Sequence, residues 1–127
     1  MGIGQAVARA FAAGVGATFT TPLGATLDTE RHTPVETEVY VKALADGDFL
    51  YEDATQARAG QTAVLVAGNA TVLITSRPVN IMGRRVFECH GLNPQDFDVV
   101  VCKSPNGFRA HYESIAAAIV PVDVPGA

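Results

Sequence analysis

Several classes of protein are excluded by what this sequence has little of. Its 127 residues include two cysteines, which are too few for a disulfide framework, so both are predicted to be free thiols. Nine Lys and Arg residues are scattered among 13 acidic ones, so no basic surface for nucleic acid is expected. No apolar run reaches the length of about 18 residues that a membrane helix needs, and the start lacks the regions of a signal peptide. We therefore expect a cytoplasmic protein with neither nucleic acid nor membrane among its partners.

What is present is the composition of a packed domain. Hydrophobic residues make up 48 % of the chain and charged residues 17 %, which is the reverse of the balance in a disordered chain. The length suits one hydrophobic core. We predict a single domain over residues 1–127.

The N-terminal part predicts a helix followed by strands. Ile3, Val7 and Phe11 recur at helical spacing, and Gly14 can end the helix. Strands, a loop and a tight turn then follow along the chain: strand 18–21 ended by Pro22, loop 23–34, strand 35–44, a turn at Asp46-Gly47 and strand 49–52.

The clearest local signal is a hairpin. Gly68-Asn69 is a two-residue loop that tolerates positive φ, and strand-like segments 62–67 and 70–75 flank it. Both faces of these segments are apolar, so we predict a central place in a sheet. The register that follows sets two pairs opposite each other: Leu65 with Val72, and Val64 with Leu73.

The C-terminal third predicts a parallel crossover. Residues 97–102 look like a buried strand, Ser104-Pro105 is a good helix start, and 119–122 returns to strand. The helix would carry one apolar stripe. The predicted fold is therefore α+β: a mixed, mostly antiparallel sheet with a central hairpin, an N-terminal helix and a C-terminal β-α-β crossover.

The chemistry-bearing residues predict no metal site within this chain. His32, His90 and His111 fall in no zinc-binding pattern, and Cys89 and His90 would point to opposite faces if they lay on a strand. A cysteine or serine nucleophile lacks a matching base by sequence pattern.

One loop is predicted to favour an anion. Lys103, Ser104, Gly107 and Arg109 surround the junction between the predicted strand and helix, where unpaired backbone amides and two cations attract negative charge. The alternative is structural, because Ser104 can cap the helix and Arg109 can pair with Glu113 one turn on.

Several motifs together carry a family resemblance. They are GVGAT at 14–18 and PLG at 22–24, then Asp28, His32 and Pro34, strand 62–66, GLNPQDF at 91–97, VVVCKS at 99–104, FRA at 108–110 and VDVPG at 122–126. This set resembles the C-terminal domain of microcystinase-C-like (MlrC-type) zinc metallopeptidases.

The resemblance implies a role within a larger enzyme. Members of that family are two-domain zinc hydrolases of peptide-like bonds, whose zinc ligands belong to an N-terminal domain that this sequence does not contain. The chain itself would then hold no cofactor, and its partner would be that catalytic domain or a second copy. The N-terminal helix would offer an apolar contact surface, and Gly24, Asp28 and His32 would belong to a possible interdomain loop.

Three hypotheses on function remain open. The first is a non-catalytic accessory domain of an MlrC-like hydrolase, which needs the N-terminal domain for activity. The second is a small stand-alone binding module with a weak anion site at Lys103, Ser104, Gly107 and Arg109. The third is a self-sufficient small hydrolase that uses Cys89 or Ser104.

Overall fold

The chain is built around one antiparallel sheet with short helices before and after it. The computed structural model describes residues 4–25 and 28–124. The strand order is β1-β2-β3-β4, so the α+β class is confirmed. The elements are α1 Gln5–Ala13, β1 Thr18–Leu23, β2 Val35–Leu50, β3 Gln56–Ala67, β4 Ala70–Thr75, α2 Arg85–Glu88, a 3-10 helix Pro94–Asp96 and α3 Arg109–Tyr112.

The N-terminal helix is confirmed, but its apolar side is not an open surface. Gly14 ends α1 with φ of 85°, and its N–H donates to the carbonyl of Ala10. Val7 and Ala10 are completely buried, and Ala10 packs in a core with four residues of the sheet: Val39, Val41, Ala63 and Leu65. Val7 is therefore unavailable as part of the predicted contact surface, whereas Phe11 is half-buried. Ile3 lies outside the described residues.

The predicted turn at Asp46-Gly47 is wrong, because the 16-residue strand β2 continues through this position. A bulge lies between Asp46 and Asp48, and the strand pairs with β3 on both sides of it. A Cβ at Gly47 would collide with the Thr62 side chain and would lie 2.8 Å from Cβ of Ala59. Glycine stands here because two strands approach closely, and no turn is involved.

The strand β1 also runs further than predicted. It passes through Pro22 and ends at Leu23, with Pro22 opposite Glu36. Because β1 is an edge strand, the missing N–H of proline can face away from β2 without breaking the ladder.

The hairpin is confirmed with the predicted register. Leu65 lies opposite Val72 and Val64 opposite Leu73, with Gly68 at φ of 58° in the turn. Its place in the sheet differs in part from the prediction. β3 is an inner strand, whereas β4 is an edge.

The second face of the sheet is covered by the segment around α2. Since side chains alternate along β3, Thr62 and Val64 point away from the α1 side. Val86 of α2 packs there against Phe49 and two alanines of β3. The Glu52 carboxylate accepts a hydrogen bond from the N–H of Arg85 at 2.8 Å, which fixes the start of α2.

The predicted C-terminal crossover is wrong. Residues 97–102 and 119–122 have no regular secondary structure and pair with no strand in the part of the chain that the structure describes. Val99 and Val101 are 76 % and 83 % exposed, so these apolar side chains are not buried within the described part of this chain. The predicted helix from Ser104-Pro105 is reduced to α3 at Arg109–Tyr112.

Candidate functional site

The loop predicted to bind an anion lies on the surface. Lys103 and Gly107 are exposed, and Ser104 is half-buried. The Arg109 guanidinium lies 3.7 Å from a carboxylate oxygen of Glu113, which confirms the pairing that the structural alternative expects. Since α3 begins at Arg109 rather than near Pro105, the amides of 104–108 precede the helix. Anion binding at this loop stays a prediction.

Gly107 allows a close approach by the chain's own Met82. A Cβ at this position would lie 3.1 Å from both Cγ and Sδ of Met82. The missing side chain therefore has a packing reason that the sequence does not reveal.

The predicted interdomain loop is organised by Asp28. Its carboxylate accepts a hydrogen bond from the N–H of Arg31 at 3.2 Å and pairs with the Arg31 guanidinium at 3.5 Å. Its carbonyl accepts from the N–H of His32, and Gly24 enters the loop with φ of 70°. In 4–25 and 28–124, no hydrogen bond or ion pair joins Gly24, Asp28 or His32 to the predicted anion residues: Lys103, Ser104, Gly107 and Arg109.

The structure brings together a polar cluster that the sequence analysis missed. His90 follows α2, and its Nδ1 lies 2.7 Å from the Val86 carbonyl oxygen while its Nε2 lies 2.9 Å from Oγ1 of Thr62. The Thr62 hydroxyl also lies 3.2 Å from the Ala45 carbonyl oxygen. His90 is 28 positions from Thr62 in sequence, so no local pattern could have revealed the contact.

Cys89 and His90 are close, contrary to the expectation for a strand. The Sγ of Cys89 lies 3.2 Å from Nδ1 of His90, because both residues sit in a turn after a helix. Two acceptors do not approach to 2.7 Å, so Nδ1 carries a hydrogen that it donates to Val86. Nδ1 cannot then take a proton from the thiol. Burial raises the pKa of Cys89, which favours the unreactive thiol over the thiolate.

Tyr112 anchors the C-terminal segment to the loop before α2. Its side chain is buried, and its hydroxyl donates to the Gly83 carbonyl at 3.3 Å. Burial raises the pKa of Tyr112 well above its usual range, and a hydrogen bond with Cys102 raises the pKa further. The phenol therefore acts here as a neutral structural group.

A concave feature beside β4 is an apolar groove of about 720 Å³, which we call the β4 groove. Residues of the edge strand β4 and of the segment 99–101 both line it. Val86 and Phe87 of α2 also line it, and none of the lining residues is charged. The lining residues are Asn69–Leu73, Thr75, Pro78, Val79, Ile81, Val86, Phe87, Leu92, Pro94, Phe97 and Val99–Val101.

The described residues contain neither a group of metal ligands nor a membrane-spanning helix. Over 4–25 and 28–124, no three His, Cys, Asp or Glu side chains are grouped so that they could hold a metal ion. Within the same residues, no helix is both long enough and apolar enough to cross a membrane.

Comparison with known proteins places the chain in a family. A structure of a candidate metallopeptidase from Mesorhizobium sp. BNC1 is 28 % identical, with a TM-score of 0.81 over 88 % of this chain. The match covers 23 % of that protein, so this chain spans about a quarter of its length. No curated protein matches the sequence. The family model described as MlrC C-terminus matches residues 4–127, and the chain therefore belongs to this family.

Proposed function

We propose that this chain is one accessory domain of an MlrC-like, zinc-dependent hydrolase of peptide-like bonds, and that it is not catalytic alone. The observation that carries the proposal is the comparison of lengths. The chain matches a family model for the C-terminal part of MlrC, and it aligns with 23 % of a candidate metallopeptidase. Catalysis then needs a zinc-bearing N-terminal domain as partner.

The side chains of this domain suit a supporting role. Cys89 is held as a thiol beside a histidine nitrogen that already donates to a carbonyl oxygen. Ser104 has no imidazole or carboxylate among its hydrogen-bond partners in the described residues. In a zinc hydrolase, the metal polarises the scissile carbonyl and lowers the pKa of a bound water. The residues of this chain would supply surface and support around that chemistry.

The proposal is tested by measuring zinc content and peptide hydrolysis for the chain alone and with a partner. The partner is the part of the Mesorhizobium protein outside its match to this chain, produced by co-expression. We expect no stoichiometric zinc and no turnover for the chain alone. The co-expressed pair should contain zinc and hydrolyse a peptide substrate.

Variants of the chain make the test specific. Cys89→Ala and Ser104→Ala should leave the activity of the pair unchanged, because neither side chain is proposed to act on substrate. About one zinc per isolated chain, lost in His32→Ala or His90→Ala, would contradict the proposal. Hydrolysis by the isolated chain that disappears in Cys89→Ala or Ser104→Ala would establish the self-sufficient hydrolase instead.

A further inference from the structure

The outer edge of β4 presents a regular row of backbone groups. The N–H of Ser76 donates to the Gln61 carbonyl at 2.9 Å, just beyond the last ladder pair. Because donors alternate along an antiparallel strand, even-numbered residues of β4 point their N–H groups toward β3. The N–H groups of Thr71, Leu73 and Thr75 therefore point away from the sheet.

The spacing of these groups suits a second backbone better than a compact ligand. Alternate residues in a strand are separated by about 6.6 Å, which is also the repeat of an added strand. The sheet has four strands, and β4 has only β3 beside it in the part of the chain that is described. An open edge of this kind is a template for strand addition.

Segment 99–101 also lines the β4 groove, and its three residues are valines. Val99 and Val101 are 76 % and 83 % exposed, and Val100 between them is half-buried. Segment 97–102 has the apolar pattern of a strand, yet no described strand pairs with it. An occupant of the groove can therefore contact both the edge of β4 and these valine side chains.

The composition of the groove restricts the chemistry of its occupant. All of its lining residues are uncharged, so a charged segment would lose its hydration without gaining an ionic partner. An extended segment of small apolar and β-branched residues would satisfy both the backbone donors and the valines.

We propose that the β4 groove binds one extended apolar segment of the zinc-bearing domain by strand addition to β4. This inference rests on the proposed function. The occupant is assigned to that domain because the aligned structure holds about three quarters of its length outside the match. Segment 97–102, which pairs with no strand in the described residues, would then lie on the other side of the inserted segment.

The test compares binding of variants to the co-expressed partner region of the Mesorhizobium protein. Val99→Lys combined with Val101→Lys places two charges in the groove at exposed positions, so the chain itself should fold normally. We expect its affinity to fall at least tenfold. Val15→Lys is the matched control, because Val15 is 63 % exposed and lies in the turn after α1, outside the groove. Its affinity should equal that of the unaltered chain.

Hydrogen exchange separates strand addition from contact through side chains alone. On binding, the amides of Thr71, Leu73 and Thr75 should exchange at least tenfold more slowly. Those of Val72 and Ile74, which already face β3, should change little.

The other possible results of these experiments would contradict the groove assignment, the proposed function or the identity of the occupant. Binding that is unchanged in the lysine variant, or outward amides that gain no protection, overturns the groove assignment and leaves the proposed function standing. Failure of the unaltered chain to bind the partner region overturns the proposed function as well. A dimer of the free chain that dissociates in the lysine variant assigns the groove to a second copy.

Discussion

The hydroxyl of Thr62 allows a quantitative test of how the second face of the sheet is held. Thr62 is fully buried in β3, and its Oγ1 contacts both the Ala45 carbonyl oxygen at 3.2 Å and His90 at 2.9 Å. Thr62→Val keeps the branched shape of the side chain and removes the hydroxyl, whose single hydrogen is donated to one of these two acceptors at a time. The segment after α2 then loses its polar contact with the sheet.

The expected loss follows from the partners that remain. A hydrogen bond contributes about 0.5–1.5 kcal/mol net, whereas a buried partner left unsatisfied costs about 1–3 kcal/mol. His90 is half-buried, so water can replace part of what it loses. We expect the free energy of unfolding to fall by about 1–2 kcal/mol. With a urea dependence of about 2 kcal/mol per M, the unfolding midpoint would shift by roughly 0.5–1 M.

Thr21→Val is the matched control. Thr21 is also buried in a strand, but its hydroxyl makes only a 3.5 Å contact with the carbonyl of the next residue. That contact is at the limit of a hydrogen bond, so its removal should cost clearly less. Equal losses in the two variants would refute the reasoning, because they would show that the cost comes from changing threonine to valine and not from His90.

The protonation of His90 gives an independent check. In the neutral ring, hydrogen should be on Nδ1, since Nδ1 lies 2.7 Å from the Val86 carbonyl oxygen. Nε2 then accepts the one hydroxyl hydrogen of Thr62, which is consequently not donated to the Ala45 carbonyl oxygen. Nitrogen NMR that finds the neutral ring protonated at Nε2 would contradict this arrangement.

Three further predictions concern the C-terminal half. Because burial raises the pKa of Tyr112, its contribution to stability is fully present below about pH 10 and is lost as the pH rises further, so urea unfolding at pH 8 and pH 11 should differ less in Tyr112→Phe. Because burial raises the pKa of Cys89, iodoacetamide should modify it more slowly at pH 8 in the folded chain than in urea; equal rates would argue against this. Sulfate should bind weakly near Lys103 and Arg109, shifting the NMR signals of amides 104–108 in a manner that salt screens; shifts that persist when both side chains are changed to Ala would exclude an anion site.

Local turn chemistry made the hairpin predictable. Gly68-Asn69 fixes the loop length, and a two-residue loop leaves one register for the flanking residues, such as Leu65 opposite Val72. The same reasoning failed at Asp46-Gly47, because the sequence does not show whether a glycine is needed for its φ or for its missing side chain. At Gly47 the reason is the nearby side chain of Thr62.

The polar cluster could not be predicted for a related reason. Thr62 and His90 are brought together by the path of the chain from β3 through the hairpin to α2, and no local sequence pattern links the two residues. The residues that do lie in motifs, Lys103 and Asp28 among them, occupy separate surface loops. Motifs identified the family, whereas tertiary contacts determine what each side chain does.

The valine segments show why a strand pattern can be present without a strand. Alternating apolar residues indicate which side chains are to be covered, but a strand also needs a second backbone beside it. Val120, Val122 and Val124 repeat the situation of Val99 and Val101, since all five are at least 66 % exposed. An exposed apolar segment that shares a groove with the open edge of β4, and a second such segment at 120–124, are hard to reconcile with a surface that meets only water. Strand addition to β4, as proposed above, would supply a second backbone beside 97–102, whereas the predicted parallel crossover to 119–122 stays wrong.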